Sequence, residues 1–195
     1  MKNRYLQSLL TRGQVILVTE AHGTTGGHRA WRPPLGCTAW WSAGPTTGHA
    51  GIGIVAKNGF LDRFDEPPQW TVIWPGRAGK LALRGREGAL DIIVVYFHTG
   101  ATVSELDLYG VHPGQRSMCT SFPALREQLR TRVGRSVARP ETTLTILGGD
   151  FNWVPTAADR RSLITAETSG HRDQREENHF RNILGQPVRL HEMHQ

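Results

Sequence analysis

The sequence predicts a layered α/β sandwich, and three observations carry that reading. Short apolar, β-branched segments recur along the chain between Gly/Pro turns. Helical patterns flank these strands at the N-terminus, past the middle and near the C-terminus, as a sandwich with helical outer layers requires. Two strands are followed at their C-terminal ends by an acid, where α/β sheets gather ligands. The length of 195 residues allows one domain with a real core. A hydrophobic share of 38% with six tryptophans excludes a disordered chain.

In chain order, Met1 to Gly13 reads as an amphipathic helix, with Tyr5, Leu6, Leu9 and Leu10 on one side and Gly13 as its stop. It lacks the continuous apolar core of a signal peptide. Val15 to Val18 is a buried-strand pattern, and Glu20 sits just beyond it. Gly23 to Pro34, rich in Gly, Thr and Pro, is expected to be a loop. Cys37 to Trp41 and Gly51 to Lys57 alternate like strands, Asn58-Gly59 signals a turn, and Asp65 to Pro68 is a break. Thr71 to Trp74, Lys80 to Leu83 and Leu90 to Tyr96 follow as strands of an antiparallel meander, turned by Pro75-Gly76 and Gly85 to Gly88. After a loop to Gly114, Gln115 to Val133 reads as helix, split at Pro123. Arg116, Arg126, Arg130, Arg132 and Arg135 give that helix or its end a basic face. A charged helix is expected near Gln174 to Leu184.

The stretch Leu144 to Val154 carries the chemistry. A short apolar strand runs into Gly148-Gly149, which allow a tight turn and close backbone approach. Asp150, Phe151, Asn152 and Trp153 follow. Asp150 and Asn152, two apart, point the same way if the chain stays extended. A carboxylate beside a carboxamide suits an activated water or a phosphate oxygen. A β-turn in which Asp and Asn bond their own backbone is the alternative. Two strands that each deliver an acid to one sheet edge, here Glu20 and Asp150, make a divalent-cation site.

The formal net charge of +6 and pI near 10 point to a polyanionic partner, most simply nucleic acid. Arginine carries most of that charge, which favours bidentate phosphate contacts. Cys37 and Cys119 are far apart and lack metal spacing, so a disulfide framework is not expected and a reducing compartment is the default. No apolar run reaches membrane-spanning length.

Four motifs in order resemble the endonuclease/exonuclease/phosphatase (DNase-I-like) superfamily. Val15 to Glu20 resembles its Leu-Gln-Glu strand end, and Ala50 to Val55 its Gly-rich second-strand motif. Val94-Val95-Tyr96 resembles the strand that ends in a catalytic tyrosine or histidine, and Gly149-Asp150-Phe151-Asn152 its signature. Trp153-Val154 and Arg116 lean toward the apurinic-type endonuclease domains of non-LTR retrotransposons. The resemblance implies an α/β (α+β) fold, the four-layered α/β/β/α sandwich of the DNase-I-like type, spanning residues 1–195 as one domain. It also implies Mg²⁺-dependent phosphodiester hydrolysis, with Mn²⁺ as an alternative, acting on the DNA phosphate backbone as a monomer.

Residue by residue, the resemblance makes Glu20 the main Mg²⁺ ligand, with Asp150 a further metal contact that orients or deprotonates the attacking water. Asn152 would hold a phosphate oxygen or that water, and Tyr96 would touch the scissile phosphate or assist the leaving group. Arg116, His98 and Trp153 are the candidate substrate contacts. Each has an ordinary alternative: a surface acid at Glu20, a core aromatic at Tyr96 or Trp153, and structural or solvent-side histidines at His98 and His22. Thr99 stands where apurinic-type members often have asparagine.

Two departures set a further expectation. The family begins with an Asn-bearing strand and ends in an Asp-His pair, and neither matches this chain, which closes on Leu190 to Gln195. The chain is thus expected to be an incomplete version of the sandwich, weak or inactive by itself. A non-catalytic nucleic-acid-binding remnant, and a phosphatase of the same fold acting on a phospholipid or inositol phosphate, are the competing readings. A nuclear location follows only from the retrotransposon resemblance.

Overall fold

The computed structural model describes residues 2–45, 50–86, 88–98, 111–112, 115–116, 122–137, 143–153 and 174–182. Two sheets form its centre. Sheet A has the order β1-β3-β2, from Val15–Val18, Ile52–Lys57 and Cys37–Ser42, all antiparallel. Sheet B has the order β4-β5-β6-β9, from Gln69–Trp74, Ala78–Gly85, Gly88–Tyr96 and Thr143–Asp150. β4, β5 and β6 make the antiparallel meander read from the sequence, and β9 joins β6 in parallel. The parallel pairing requires a crossover, which the chain between β6 and β9 provides with an α-helix.

Hydrophobicity explains the layering. From Asp91 to Tyr96 every residue of β6 is buried, so both faces of this strand are covered. Sheet A packs on sheet B, with β3 against β5 and β6 and β1 against β9. The helix α4, Phe122–Ser136, packs against β4 and β5 and contributes Leu125, Leu129 and Val133, all fully buried. Their spacing of four marks one helical face. On the strands, Ile52, Ile54, Leu81, Leu83, Ile93 and Val95 join the same core. Helix α1, Lys2–Arg12, lies by β1, and its Leu10 is buried. Among the described residues the architecture is an α+β sandwich, consistent with an incomplete version of the four-layered arrangement.

Three expectations are corrected. The loop expected over Gly23 to Pro34 contains a short helix α2, Thr25–Ala30. Thr24 caps it by accepting from the Gly27 N–H at 2.9 Å. His28 then stacks on Trp41 at 5.3 Å, and this docking outweighs the poor helix propensity of the glycines. Asn58–Leu61 forms a single helical turn, α3, in place of a simple turn. Finally, Gln115–Arg116 forms β8, paired with β7 at Val111–His112, so the helix begins only at Phe122. Pro123 therefore stands in the first turn, where its missing N–H costs nothing, and it starts the helix instead of splitting it.

The basic face expected on α4 is also largely turned inward. Arg130 is fully buried, Arg126 pairs with Glu176, and Arg132 lies over the Trp74 ring at 4.5 Å. The charged C-terminal helix is α5, Gln174–Phe180. No helix among the described residues is long and apolar enough to cross a membrane. The expectations at Thr99, Cys119 and Leu190 to Gln195 lie outside the described residues.

Candidate active site

The site forms where β1, β6 and β9 end on one edge of the stacked sheets. Glu20 follows β1 and is exposed, in a left-handed conformation at φ +53. The backbone just beyond it is tied to the start of β3 by Ala21 N–H to Gly51 O at 2.9 Å and His22 N–H to Ala50 O at 3.2 Å. Gly51, at φ +101, permits that approach, because a Cβ there would lie 3.0 Å from the His22 nitrogen. On the other sheet, Tyr96 closes β6 and stands in parallel register beside Asp150, the last residue of β9.

These two sheets meet through a side chain. The Tyr96 hydroxyl donates to Glu20 Oε1 at 2.6 Å. The Tyr96 phenol is pushed up to about 12, first by burial, then by its bond to Glu20 and the Glu20 charge, with Asp150 adding to the rise. It is therefore a proton donor at neutral pH and not an anion. Arg77, 2% exposed, lays its guanidinium over the Tyr96 ring at 4.5 Å from the centroid. Arg77 is placed by backbone bonds: its N–H donates to Trp74 O, and its carbonyl accepts from the Tyr96 N–H at 2.8 Å. Gly76 before it donates to the buried Ser42 hydroxyl at 2.9 Å and accepts from the Gly51 N–H, which joins the two sheets at the same edge.

Beyond β9 the chain turns sharply. The Asn152 N–H donates to Asp150 Oδ1 at 2.9 Å, so the turn contains the self-bonding geometry that Asp and Asn favour. The Asn152 amide is not spent on that bond. Its Nδ2 donates to Phe97 O at 2.6 Å, which fixes the amide orientation and leaves its second N–H and its Oδ1 for another partner. The Phe97 N–H in turn donates to Asp150 O at 2.8 Å.

The structure thus gathers Glu20, Tyr96, Asp150 and Asn152 at one edge. It does not bring His98 to the open side. That ring is fully buried, and its pKa is lowered to about 3, first by burial and then by the nearby Arg77 and Arg126 charges. Trp153 is half-buried and packs on Phe180 at 5.4 Å, in a chain of rings that continues through Phe151 to Phe97. Arg116 lies in β8, and its side chain is outside the described residues. Sequence reasoning missed Arg77, which sits in a stretch that reads only as a Pro-Gly turn, and it took Arg126 for a surface charge. No local pattern marks either of them.

The donor set suits a hard cation. Among the described residues no three His, Cys, Asp or Glu converge, so a closed cage of protein ligands is absent there. Two carboxylates, Glu20 and Asp150, instead flank one neutral phenol. Mg²⁺ takes few carboxylates and keeps several waters, so these residues fit it.

Similarity to solved structures gives the fold its class. The chain resembles the AP endonuclease LMAP from Leishmania major, with a TM-score of 0.61 and 12% identity over 93% of this chain. It also resembles the endonuclease domain of TRAS1, a telomere-specific non-LTR retrotransposon, with a TM-score of 0.51 and 13% identity over 93% of this chain. The chain spans 59% of the first structure and 64% of the second. No family model and no curated protein matches the sequence. The protein has the DNase-I-like fold.

Proposed function

We propose that this chain carries out metal-dependent phosphodiester hydrolysis on DNA, as an endonuclease of the retrotransposon type acting as a monomer. The observation that carries this reading is the Tyr96–Glu20 hydrogen bond beside Asp150, which draws two carboxylates and a neutral phenol to one sheet edge. The two similar structures, an AP endonuclease and a retrotransposon endonuclease domain, support it. A retrotransposon endonuclease would act on nuclear DNA.

Glu20, with Asp150, would hold Mg²⁺, which when bound supplies positive charge to the phosphoryl oxygens. The chain's own groups do the rest. Asp150 accepts a hydrogen bond from the attacking water through the carboxylate oxygen left free by Asn152, and takes its proton. The second N–H of Asn152 donates to a non-bridging phosphate oxygen. Water oxygen bonds to phosphorus, the P–O bond to the leaving oxygen breaks, and that oxygen takes up a proton. Tyr96, protonated at neutral pH, would supply it by turning its hydroxyl from Glu20 Oε1 to the leaving oxygen. Arg77, beneath the phenol, adds fixed positive charge. The inward arginines of α4 do not favour the purely binding alternative, because they are taken up by contacts within the protein.

The test is nicking of supercoiled plasmid by this chain and by Asp150→Ala, in Mg²⁺ and in EDTA. Weak nicking that needs both Mg²⁺ and Asp150 is expected. Binding that weakens with salt and no nicking under any condition would overturn the catalytic reading.

A further inference from the structure

Asn152 lies at φ +52, a left-handed conformation that asparagine adopts where local hydrogen bonds hold it. Two bonds from the strand ends hold it: its N–H to Asp150 Oδ1 and its Nδ2 to Phe97 O. A third restraint comes from α4. Arg126 Nη2 donates to Asn152 O at 3.0 Å and to Phe151 O at 3.3 Å. The Phe151 carbonyl belongs to the peptide plane before the Asn152 Cα, and the Asn152 carbonyl to the plane after it. One guanidinium nitrogen therefore fixes both planes, and with them the φ and ψ of Asn152.

The guanidinium is itself oriented from another element. Arg126 Nε lies 3.3 Å from Glu176 Oε2 on α5, and the same carboxylate pairs with the fully buried Arg130. The Arg126 and Glu176 side chains are 14% and 16% exposed, so solvent screens this pair less than a surface one. The Nε–Glu176 contact is an ion pair by proximity, whereas the hydrogen bonds of the guanidinium go from Nη2 to the two carbonyls. A lysine ammonium, a compact point charge on a flexible stem, does not span the carboxylate and both carbonyls as the planar guanidinium does.

We propose that Arg126, oriented by Glu176, is a positioning residue that sets the Asn152 amide toward the reacting phosphate. α5 acts on the site through this relay, although none of its residues is among those assigned to the chemistry. The proposal rests on the phosphodiesterase reading, and its experiment separates the two.

The experiment compares wild type, Arg126→Met, Arg126→Lys, Glu176→Gln, Asn152→Ala and the Arg126→Met/Asn152→Ala pair. It measures Mg²⁺-dependent nicking kinetics, thermal melting, and the ¹⁵N–¹H resonances of the Asn152 backbone and side-chain amides. Arg126→Met is expected to lower kcat roughly tenfold to a hundredfold, with KM nearly unchanged, as a misplaced catalytic group does. Arg126→Lys does not restore kcat. The double variant is no slower than Asn152→Ala, because both changes act through one group. The Asn152 resonances shift in both Arg126 variants and, to a smaller extent, in Glu176→Gln. Losses that multiply in the double variant, a raised KM at constant kcat, or Asn152 resonances that stay in place would each overturn the proposal. Absence of nicking by wild type sinks the phosphodiesterase reading, and the resonances still decide the clamp. If Arg126→Met fails to fold, Glu176→Gln, which keeps the guanidinium, decides the same question through its resonance shift and its kcat.

Discussion

Replacing His98 with glutamine is expected to flatten the pH dependence of stability between neutrality and pH 5. The imidazole is fully buried, and its pKa is lowered to about 3 by burial first and then by Arg77 and Arg126. Its folded-state pKa lies below the unfolded value of 6.5, so the unfolded chain binds the extra proton in the window between them. The stability tied to the neutral ring is therefore full above pH 6.5 and is lost as pH falls toward 3. At pH 5.0 the unfolded imidazole is almost wholly protonated and the folded one is not, a loss of about 2 kcal/mol relative to pH 7.5. That figure hardly depends on the depth of the shift, since any folded-state pKa well below pH 5 gives the same loss there. With a urea m-value of about 2 kcal/mol/M, the midpoint moves by about 1 M. The assay is urea unfolding of wild type and His98→Gln at both pH values. Carboxylates and the other histidines titrate in both proteins and cancel in the difference. His98→Gln starts lower at pH 7.5 but loses about 2 kcal/mol less on acidification. Parallel losses in the two proteins would refute the reasoning, because they would mean that the buried ring is protonated without penalty.

Two further substitutions probe the frame of the site. Gly149→Ala is expected to cost roughly 3 kcal/mol or more, because Gly149 is at φ +136 and its added Cβ would run into the Val95 carbonyl, backbone that cannot move aside. Thermal melting reads that loss, and an unchanged melting temperature would show that β6 and β9 are not so closely apposed. Arg84→Ala is expected to cost about 2 kcal/mol in denaturant unfolding. It removes the 2.8 Å ion pair from the fully buried Asp91 and leaves, among the described residues, only Lys80, at 3.4 Å, to compensate the carboxylate. A cost near zero would mean that Lys80 alone neutralises Asp91.

The parts of the fold that were legible are those set by local pattern. Val15–Val18 and the apolar run ending at Tyr96 announce buried strands by composition, and the positions of Glu20, Tyr96 and Asp150 after or at strand ends follow from that. Which strand lies beside which was not legible. The parallel Tyr96–Asp150 register and the hydrogen bond that carries Tyr96 across to Glu20 depend on how two sheets stack. Arg77 illustrates the limit. Its neighbours Pro75 and Gly76 signal only a turn, and nothing in the local sequence says that the turn folds under a phenol and buries the charge. Pro123 shows the opposite failure, in which a real signal is given the wrong sense: a helix breaker in the middle of a segment is a helix starter once the segment begins at Phe122.

Strain separates this edge from the rest of the molecule. Among the described residues, the non-glycine positions with positive φ are Glu20, His22, Ala50 and Asn152. His22 and Ala50 are hydrogen-bonded to each other, Glu20 stands two residues before His22, and Asn152 is bonded to Asp150 beside Tyr96. All four thus converge on the edge where Tyr96 meets Glu20. Each such residue costs of order 1 kcal/mol or more and survives only where its surroundings over-determine it. The surroundings here do so: backbone bonds tie the Glu20 loop to β3, and Asn152 is held by Phe97, Asp150 and Arg126. A core as well buried as β6 could support a relaxed turn at this edge as easily as a strained one. Two of the four strained positions, Glu20 and Asn152, are residues to which the proposed chemistry is assigned, and each is held there by a hydrogen bond to the opposing strand end, Glu20 by Tyr96 and Asn152 by Phe97.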